Sequence, residues 1–406
     1  MINTIDLFAG CGGLTEGFKR NGNYNTIACV EWDKLPYNAL LHRFKTKWHY
    51  TDADERVLRF DIQRTNELIH GWDDNEYGSS VGLDALVTKH GGNVDLVIGG
   101  PPCQAYSVAG RVRDENGMRD DYRNYLFEHY VDILRHYTPK AFVFENVPGM
   151  LSATPGNGNE RIANRIRQQF AEAGYVLLEN LDEAIIDFTE YGVPQNRRRV
   201  IILGLRKDKF GSRAEKLLKQ FYTSILPSHK VTEVNTVSDA ISDLPKLLPL
   251  AEPIRMNGKQ YSHSLPPEMN VKNHTARYNN AREIGVFKLL TEDIKSERYE
   301  YISIEALKKL YTSLTGRQSN IHKYYVLRWN EPSNTIPAHL YKDGLRHIHP
   351  DPEQARTITV REAARLQTFP DDFEFISGTA IDYKMIGNAV PPMFSGILAK
   401  SLEAII

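Results

Sequence analysis

Short runs of branched and long aliphatic residues recur along the first two hundred positions, separated by glycine-rich or polar stretches. The runs at Asn3–Phe8, Asn25–Val30, Val94–Ile98 and Lys140–Val147 are nearly continuous in apolar character, as expected of parallel strands buried on both faces. A third strand is expected near Val57–Ile62, with Asp61 at its end, and Ala184–Phe188 reads as a further strand. Helical spacing appears between them. The glycine turn FAGCGGLTEGF leads into a helix ending near Arg20. Asn124–Tyr137 carries Leu126, Val131, Ile133 and Leu134 toward one side, and Glu160–Gly174 closes on glycine. Strands alternating with helices predict an α/β fold, doubly wound around a mostly parallel sheet.

Gln63–Asn93 reads as an extended connection holding one helix and a polar turn, and Arg111–Arg123 has the composition of a mobile loop. YGVPQNRRRVIILGL turns into a last hairpin strand, in which alternation sends Arg197 and Arg199 to one side. After Arg206 the rhythm stops, and short irregular apolar stretches with many prolines predict a second, smaller domain. Patterning resumes at Arg356–Phe373, where a strand-like start precedes a helix with Arg361 and Arg365 on one face. The ending, MIGNAVPPMFSGILAKSLEAII, predicts an amphipathic helix that returns to cover the first strands. The expected division is 1–205, completed by 379–406, against 206–378.

A length of 406 residues supports two domains, and 41% hydrophobic with 25% charged residues is ordinary for a globular protein. No apolar run is long enough to span a bilayer, and the N-terminus lacks the pattern of a secretory leader. Three cysteines without paired spacing argue against a disulfide framework and a zinc site, which points to the cytoplasm. The formal net charge is −1, yet Tyr191–Lys230 holds ten Lys or Arg against two acidic residues. A segment of +8 inside a neutral chain is the electrostatic footprint of nucleic-acid binding.

Candidate chemistry gathers at Val94–Ser107, VDLVIGGPPCQAYS, where a strand hands over to a loop at Cys103. A lone cysteine is more often a small buried hydrophobe. Here two glycines and two prolines shape the turn before it, and chemistry in open α/β sheets sits at the carboxyl ends of strands. Gly10, Gly12 and Gly13 let the backbone pass close to a ligand. Glu31, about 20 residues further on at the tip of the second strand, suits a ribose diol, and Trp32 could lie against a flat base. Glu145 follows four apolar residues and is expected to be partly desolvated, able to hold a proton near neutral pH.

In order, DLFAGCGGL at 6–14, EWD at 31–33, GGPPCQAYS at 99–107, ENV at 145–147, QNRRR at 195–199, RTITVREAARLQTFP at 356–370 and GNAVPP at 387–392 resemble the DNA cytosine-C5 methyltransferases. The match covers about 1–205 and 335–406. Pro101 stands where the family often has another residue, and Gln63–Asn93 is longer than a minimal member needs. The resemblance implies an S-adenosylmethionine-dependent methyltransferase fold with a target-recognition domain. It makes Cys103 the nucleophile that adds to C6 of cytosine. Glu145 becomes the group at N3 and the exocyclic amine, and Arg199 the contact to the cytosine carbonyl, with Arg197 its neighbour. Phe8, Gly10, Gly12, Glu31, Trp32, Asp61, Pro102, Leu126 and Asn388 fall on positions that hold S-adenosylmethionine, released as S-adenosylhomocysteine. Gln104, Ser107, Thr335 and Ile336 fall on DNA-contacting positions, the last two because EPSNTIPAHL resembles the short Thr-Leu/Ile element of the recognition domain.

A base inside a duplex cannot offer its ring to a thiol and must be flipped out, with Arg111–Arg123 as the lid and the basic stretch holding phosphates. The expected partner is double-stranded DNA, with a cognate restriction endonuclease in a bacterial restriction-modification system. The enzyme is expected as a cytoplasmic monomer without metal. A tRNA cytosine-C5 methyltransferase is the alternative within the family. A catalytically silent binding module and a nicotinamide dehydrogenase, the generic reading of the glycine turn, are the alternatives outside it.

Overall fold

Strands β1 (Ile2–Leu7), β2 (Tyr24–Glu31), β3 (Val57–Arg59), β4 (Leu96–Gly99), β5 (Ala141–Asn146), β6 (Tyr175–Val176), β7 (Ile185–Asp187) and β8 (Arg198–Arg206) form one sheet. The computed structural model describes residues 1–102, 125–154, 160–266, 271–318 and 324–406. The strand order is β3-β2-β1-β4-β5-β8-β6, with β7 also paired to β8. The first five strands are parallel, and β8 runs antiparallel to β5, β6 and β7. The fold is therefore the expected doubly wound, mostly parallel α/β sheet. From β1 the chain steps outward through β2 and β3, then returns to the other side of β1 with β4 and β5. That reversal opens a crevice at the carboxyl ends of β1 and β4.

β4 and β5 are buried along their whole length, and β1 is buried from Asn3 onward. Their near-continuous apolar character follows from helices on both faces. One such helix, α1 (Gly13–Asn21), packs against α2 (Pro392–Leu402), the C-terminal helix expected to return. Contact is close because Gly17 has no side chain: a Cβ there would lie 2.3 Å from Ser395 Cβ and 2.4 Å from the Gly396 nitrogen. The Tyr24 hydroxyl donates to the Ala399 carbonyl at 2.6 Å.

Two regions differ from expectation. The third strand ends at Arg59, because Asp61 already turns the chain by accepting the Gln63 N–H. Gln63–Asn93 holds two helices, Thr65–His70 and Gly82–Lys89, and a hairpin pairing Trp72–Asp74 with Gly78–Ser80. Gly71 and Gly82, with φ of 112° and 77°, break a helix that periodicity alone would continue.

The chain packs as two compact units, 1–192 with 197–232 and 389–406, and 193–196 with 233–388. The irregular segment after Arg206 thus begins inside the first unit. There the Tyr222 hydroxyl donates to Ile201 O at 2.7 Å and accepts the Leu203 N–H at 2.8 Å, in the gap between the two short partners of β8. Helix Thr379–Asn388 packs in the second unit. That unit has its own apolar core, including Val286, Phe287, Leu290, Val326 and Ile348. Two of its fully buried charges pair at Arg356–Glu362, at 2.6 Å, with Glu362 also closing a capping box on Thr359. Arg361 donates to three backbone carbonyls, while Arg365 pairs with Asp371 and Asp243.

Replacing Gly17 by valine forces α1 away from the C-terminal helix. Overpacking of this kind costs about 1–3 kcal/mol. Urea unfolding of Gly17→Val is expected to show that loss, and an unchanged midpoint would mean the two helices do not meet there.

Candidate active site

The loop after β1 turns on three left-handed residues, Phe8 (φ 58°), Gly10 (φ 57°) and Gly12 (φ 93°). At φ 93° Gly12 takes a backbone conformation that side-chain-bearing residues rarely adopt, and a Cβ there would also come within 2.5 Å of Leu40 Cδ1. A Cβ on Gly10 would meet nothing within 4 Å, which leaves open space above the loop. Glu31 closes one side of that space. Its Oε2 accepts the Gly10 N–H at 2.8 Å and its Oε1 the Asp33 N–H at 2.7 Å. Burial pushes the Glu31 carboxyl up to about 7, against the pull of those backbone donors toward the anion. Trp32, next in the chain, is 56% exposed and donates its indole N–H to the Tyr77 hydroxyl at 3.1 Å. Asp61 lies half-buried just beyond the end of β3. An open cradle with a carboxylate at its side and an exposed aromatic beside it can hold a nucleoside by its ribose diol and its base.

β4 leads into the second half of the site through Gly99, Gly100, Pro101 and Pro102. A Cβ on Gly100 would lie 2.5 Å from Glu145 Oε2, so the chain passes directly against that carboxylate. Asn146 donates to the Pro101 carbonyl at 3.3 Å and accepts the Val147 N–H at 2.9 Å, fixing the turn from the neighbouring strand. Leu126 is buried at the start of helix Leu126–Tyr137, which Tyr130 docks onto the sheet by donating to the Val97 and Val143 carbonyls.

Glu145 stands opposite Ile201 in the β5–β8 ladder. Its Oε1 pairs with Arg199 Nε at 2.9 Å, and only 9% of the residue is exposed. Arg197 is buried and donates to the Ala389 carbonyl at 2.9 Å, whereas Arg198 between the two is exposed. Both flanking arginines act on Glu145, as strand alternation requires. Burial raises the Glu145 pKa, and Arg199 and then Arg197 oppose that rise. The result is a desolvated carboxyl that can carry a proton beside two fixed cations.

Cys103, Gln104, Ser107 and the expected lid Arg111–Arg123 lie outside the described residues. Pro102, half-buried, is the last described residue before them. Thr335 and Ile336 belong to the second unit, where Thr335 is exposed and Ile336 is buried. Asn388 is exposed at the end of its helix in that unit, one residue before the final segment of the first. The basic stretch divides. Arg197 and Arg199 sit at the Glu145 end of β8, but the exposed Lys207, Lys209, Arg213, Lys216 and Lys219 follow its other end. Seven strand residues at about 3.3 Å each put roughly 23 Å between Arg199 and Arg206, so those five cations follow the opposite end of the strand. Among the described residues no group of His, Cys, Asp or Glu could hold a metal ion, and no helix is long and apolar enough to cross a membrane.

Sequence reasoning missed Asp6. It sits fully buried in β1, accepts the Thr15 hydroxyl at 2.5 Å through Oδ2, and has no hydrogen-bond partner at Oδ1. Burial pushes its carboxyl up to about 7. A carboxylate within an apolar strand was the available signal.

The family model for C-5 cytosine-specific DNA methylases matches residues 2–404. The chain is 33% identical to the type II methyltransferase M.Bpa9945I of Bacillus paralicheniformis, covering 99% of this chain and 98% of that one. It is 32% identical to the type II methyltransferase M.MthTI of Methanothermobacter thermautotrophicus, with 99% and 97% covered. Its fold is similar to that of a prophage-encoded chain from E. coli, with a TM-score of 0.60 at 24% identity, covering 100% of this chain and 99% of that one.

The raised pKa of Asp6 gives stability a definite dependence on pH. The folded state keeps a proton that the unfolded chain loses near 3.8, so folding is favoured most below that value and weakens as pH rises toward 7. Relative to Asp6→Asn, the native protein is expected to lose up to about 1.4 kcal/mol per pH unit across this window in urea titrations. Parallel stability curves would show that Asp6 titrates normally.

Proposed function

The chain belongs to the C-5 cytosine-specific DNA methylases, and on that premise we propose that it methylates C5 of a cytosine flipped out of a specific double-stranded DNA sequence, through a covalent bond between Cys103 and C6. The observation that carries this reading is Glu145. It is a buried carboxyl paired with Arg199 and pressed against Gly100, three residues before Cys103 in the chain.

S-Adenosylmethionine fits the residues at the first half of the site. The open space over Gly10 and the Glu31 carboxylate suit its ribose, and the exposed Trp32 its adenine; Phe8, Gly12, Asp61, Pro102, Leu126 and Asn388 are added to the set by the family resemblance alone. When bound, it supplies an electrophilic methyl group. The protein's own residues prepare the carbon that receives it. C5 of cytosine is a poor nucleophile, and covalent addition splits one difficult step into two easier ones. The Cys103 sulfur forms a bond to C6 while N3 takes the proton carried by Glu145, and electron density collects at C5. Arg199 holds the cytosine carbonyl, and the positive field of Arg197 and Arg199 favours the thiolate. Once C5 has been methylated it loses its proton to a base. The electron pair reforms the ring double bond, the sulfur leaves C6, and N3 returns its proton to Glu145.

Gln104, Ser107 and the exposed Thr335 are assigned to DNA; Ile336 is fully buried and donates its N–H to Gln195 Oε1, so its side chain is not proposed as a DNA contact. Closure of Arg111–Arg123 over the flipped base excludes water. The named relatives are type II methyltransferases, which supports duplex DNA over tRNA as the substrate. It also supports a cognate restriction endonuclease in the same cytoplasm. The protein is taken to act as a monomer.

Replacing Cys103 by serine is expected to lower methyl incorporation into host-sequence duplex DNA by more than about a thousandfold. The native protein should form a stable adduct with duplex containing 5-fluorocytosine and should leave tRNA unmethylated. Unchanged incorporation by Cys103→Ser, or a preference for tRNA, would overturn the reading.

A further inference from the structure

Within the second unit, Pro249–Met256 pairs with Lys259–His263 in an antiparallel ribbon. Asn257 and Gly258 close it with φ of 48° and 77°, the two left-handed residues of a type I′ turn. The base of the ribbon is fixed. Ser262 and His263 are buried; Ser262 Oγ accepts the Asn279 N–H at 2.9 Å, and His263 Nε2 donates to the Gln354 carbonyl at 2.9 Å. Leu248 and Ser264 exchange two further bonds of 2.9 and 2.8 Å. Past that base the ladder shifts register between Pro249 and Ile254, a place where Pro253 has no N–H to lose. Every residue from Ala251 to Gln260 is exposed.

A two-stranded hairpin is marginally stable by itself, yet both faces of this tip are exposed, Ile254 and Met256 included. Residues directly opposite in an antiparallel ladder share a face. Arg255 and Gln260 are opposite one another on one face, while Ile254, Met256, Lys259 and Tyr261 occupy the other. Lys246 and Lys272 of the same unit are each paired with a glutamate, at 2.7 and 2.5 Å. Among the described residues, the side chains of Arg255, Asn257, Lys259 and Gln260 have no hydrogen-bond or ion-pair partner. Residues 254–261 hold the cations Arg255 and Lys259 and no acidic residue. At roughly 3.3 Å per residue, the tip extends about 10 Å from Ile254 to the turn. The major groove of DNA is about 12 Å wide and about 8.5 Å deep, and it admits a two-stranded ribbon.

We propose that the tip Ile254–Tyr261 enters the major groove of the substrate duplex, where Arg255 reads a guanine and Gln260 an adenine. The proposal rests on the function given above and names side chains that select the sequence. An arginine donates two bonds to O6 and N7 of guanine, and a glutamine accepts from N6 and donates to N7 of adenine. Neither side chain has to leave a partner within the protein to do so. Opposite in the ladder, their Cβ atoms stand about 5 Å apart, and bases stack at about 3.4 Å. The two bases read therefore lie on adjacent pairs or one pair apart. Two apolar side chains make a small patch beside four unpaired polar ones and an unbalanced positive charge, which favours a polyanion over a protein surface as the occupant.

The test begins with bisulfite sequencing of host DNA, which identifies the methylated sequence. For the native protein, Arg255→Ala and Gln260→Ala, kcat/KM is then measured on that duplex and on duplexes carrying each single base-pair change, together with Tm. Arg255→Ala is expected to lower kcat/KM on the correct duplex by about 5- to 150-fold and to erase discrimination at one G·C pair alone. Gln260→Ala should do the same at one A·T pair, no more than two steps from the first. 7-Deazaguanine, which lacks the N7 acceptor, should weaken the native enzyme at that guanine and leave Arg255→Ala unaffected. Loss spread evenly over all duplexes would make Arg255 a phosphate contact and overturn the proposal. So would native selectivity in both variants, the outcome expected if the tip docks on another protein. Both side chains are exposed, so Tm should not move, and a fall in Tm that accounts for the lost activity also overturns the proposal. Native protein that methylates no duplex DNA would refute the underlying function, an outcome distinct from a selective enzyme indifferent to both changes.

Discussion

Burying a carboxyl group beside an arginine takes two charges out of water, and the cost is repaid only when geometry and hydrogen bonds are good. β5 delivers Glu145 to the carboxyl end of the parallel strands, and β8, running the other way, returns Arg199 to meet it at 2.9 Å. The antiparallel strand is what makes this possible. Parallel strands put their carboxyl ends at the crevice, whereas β8 contributes its beginning, so the first residues of β8 face the last residues of β5. Glycine at position 100 then brings the chain leading to Cys103 against the carboxylate without a side chain between them.

The second unit uses buried charge differently. Arg356 and Glu362 are both sealed from solvent and satisfy one another through two hydrogen bonds of 2.7 and 2.6 Å. Glu362 is held well below the usual carboxylate range, because the Arg356 charge and the contact with His349 outweigh its burial. This pair anchors the turn from Arg356 to the helix beginning at Val360, including the cap on Thr359. In Glu145 burial prevails and the proton is retained more readily; in Glu362 pairing prevails. One carboxyl suits chemistry and the other architecture.

Much of the sheet was legible because β1, β4 and β5 are covered on both faces, which leaves apolar runs that no amphipathic surface element shows. The C-terminal helix was legible from the amphipathic pattern that follows GNAVPP. Short edge strands such as β3 left weaker traces, and the hairpin near Trp72 was hidden by polar residues and two turning glycines. Glu31, Glu145 and Arg199 could be named from motif order, yet the pairing of the last two depends on a ladder register that sequence does not state. Charge along the chain likewise carried no information about strand ends, so Arg199 and Lys219 looked like members of one patch. The hydrogen bond from Ile336 to Gln195 joins residues 141 positions apart, and nothing local to either residue announces it.

The central claim is that Glu145 hands a proton to the pyrimidine while sulfur adds to it, and Glu145→Gln isolates that step. Gln keeps the size and one hydrogen-bonding oxygen but has no acidic proton to give. The direct measurement is the rate of covalent adduct formation with duplex DNA containing 5-fluorocytosine at the target position, with DNA binding followed in parallel. The account predicts binding close to native and adduct formation slower by about 100- to 10,000-fold. Adduct formation at the native rate would contradict it.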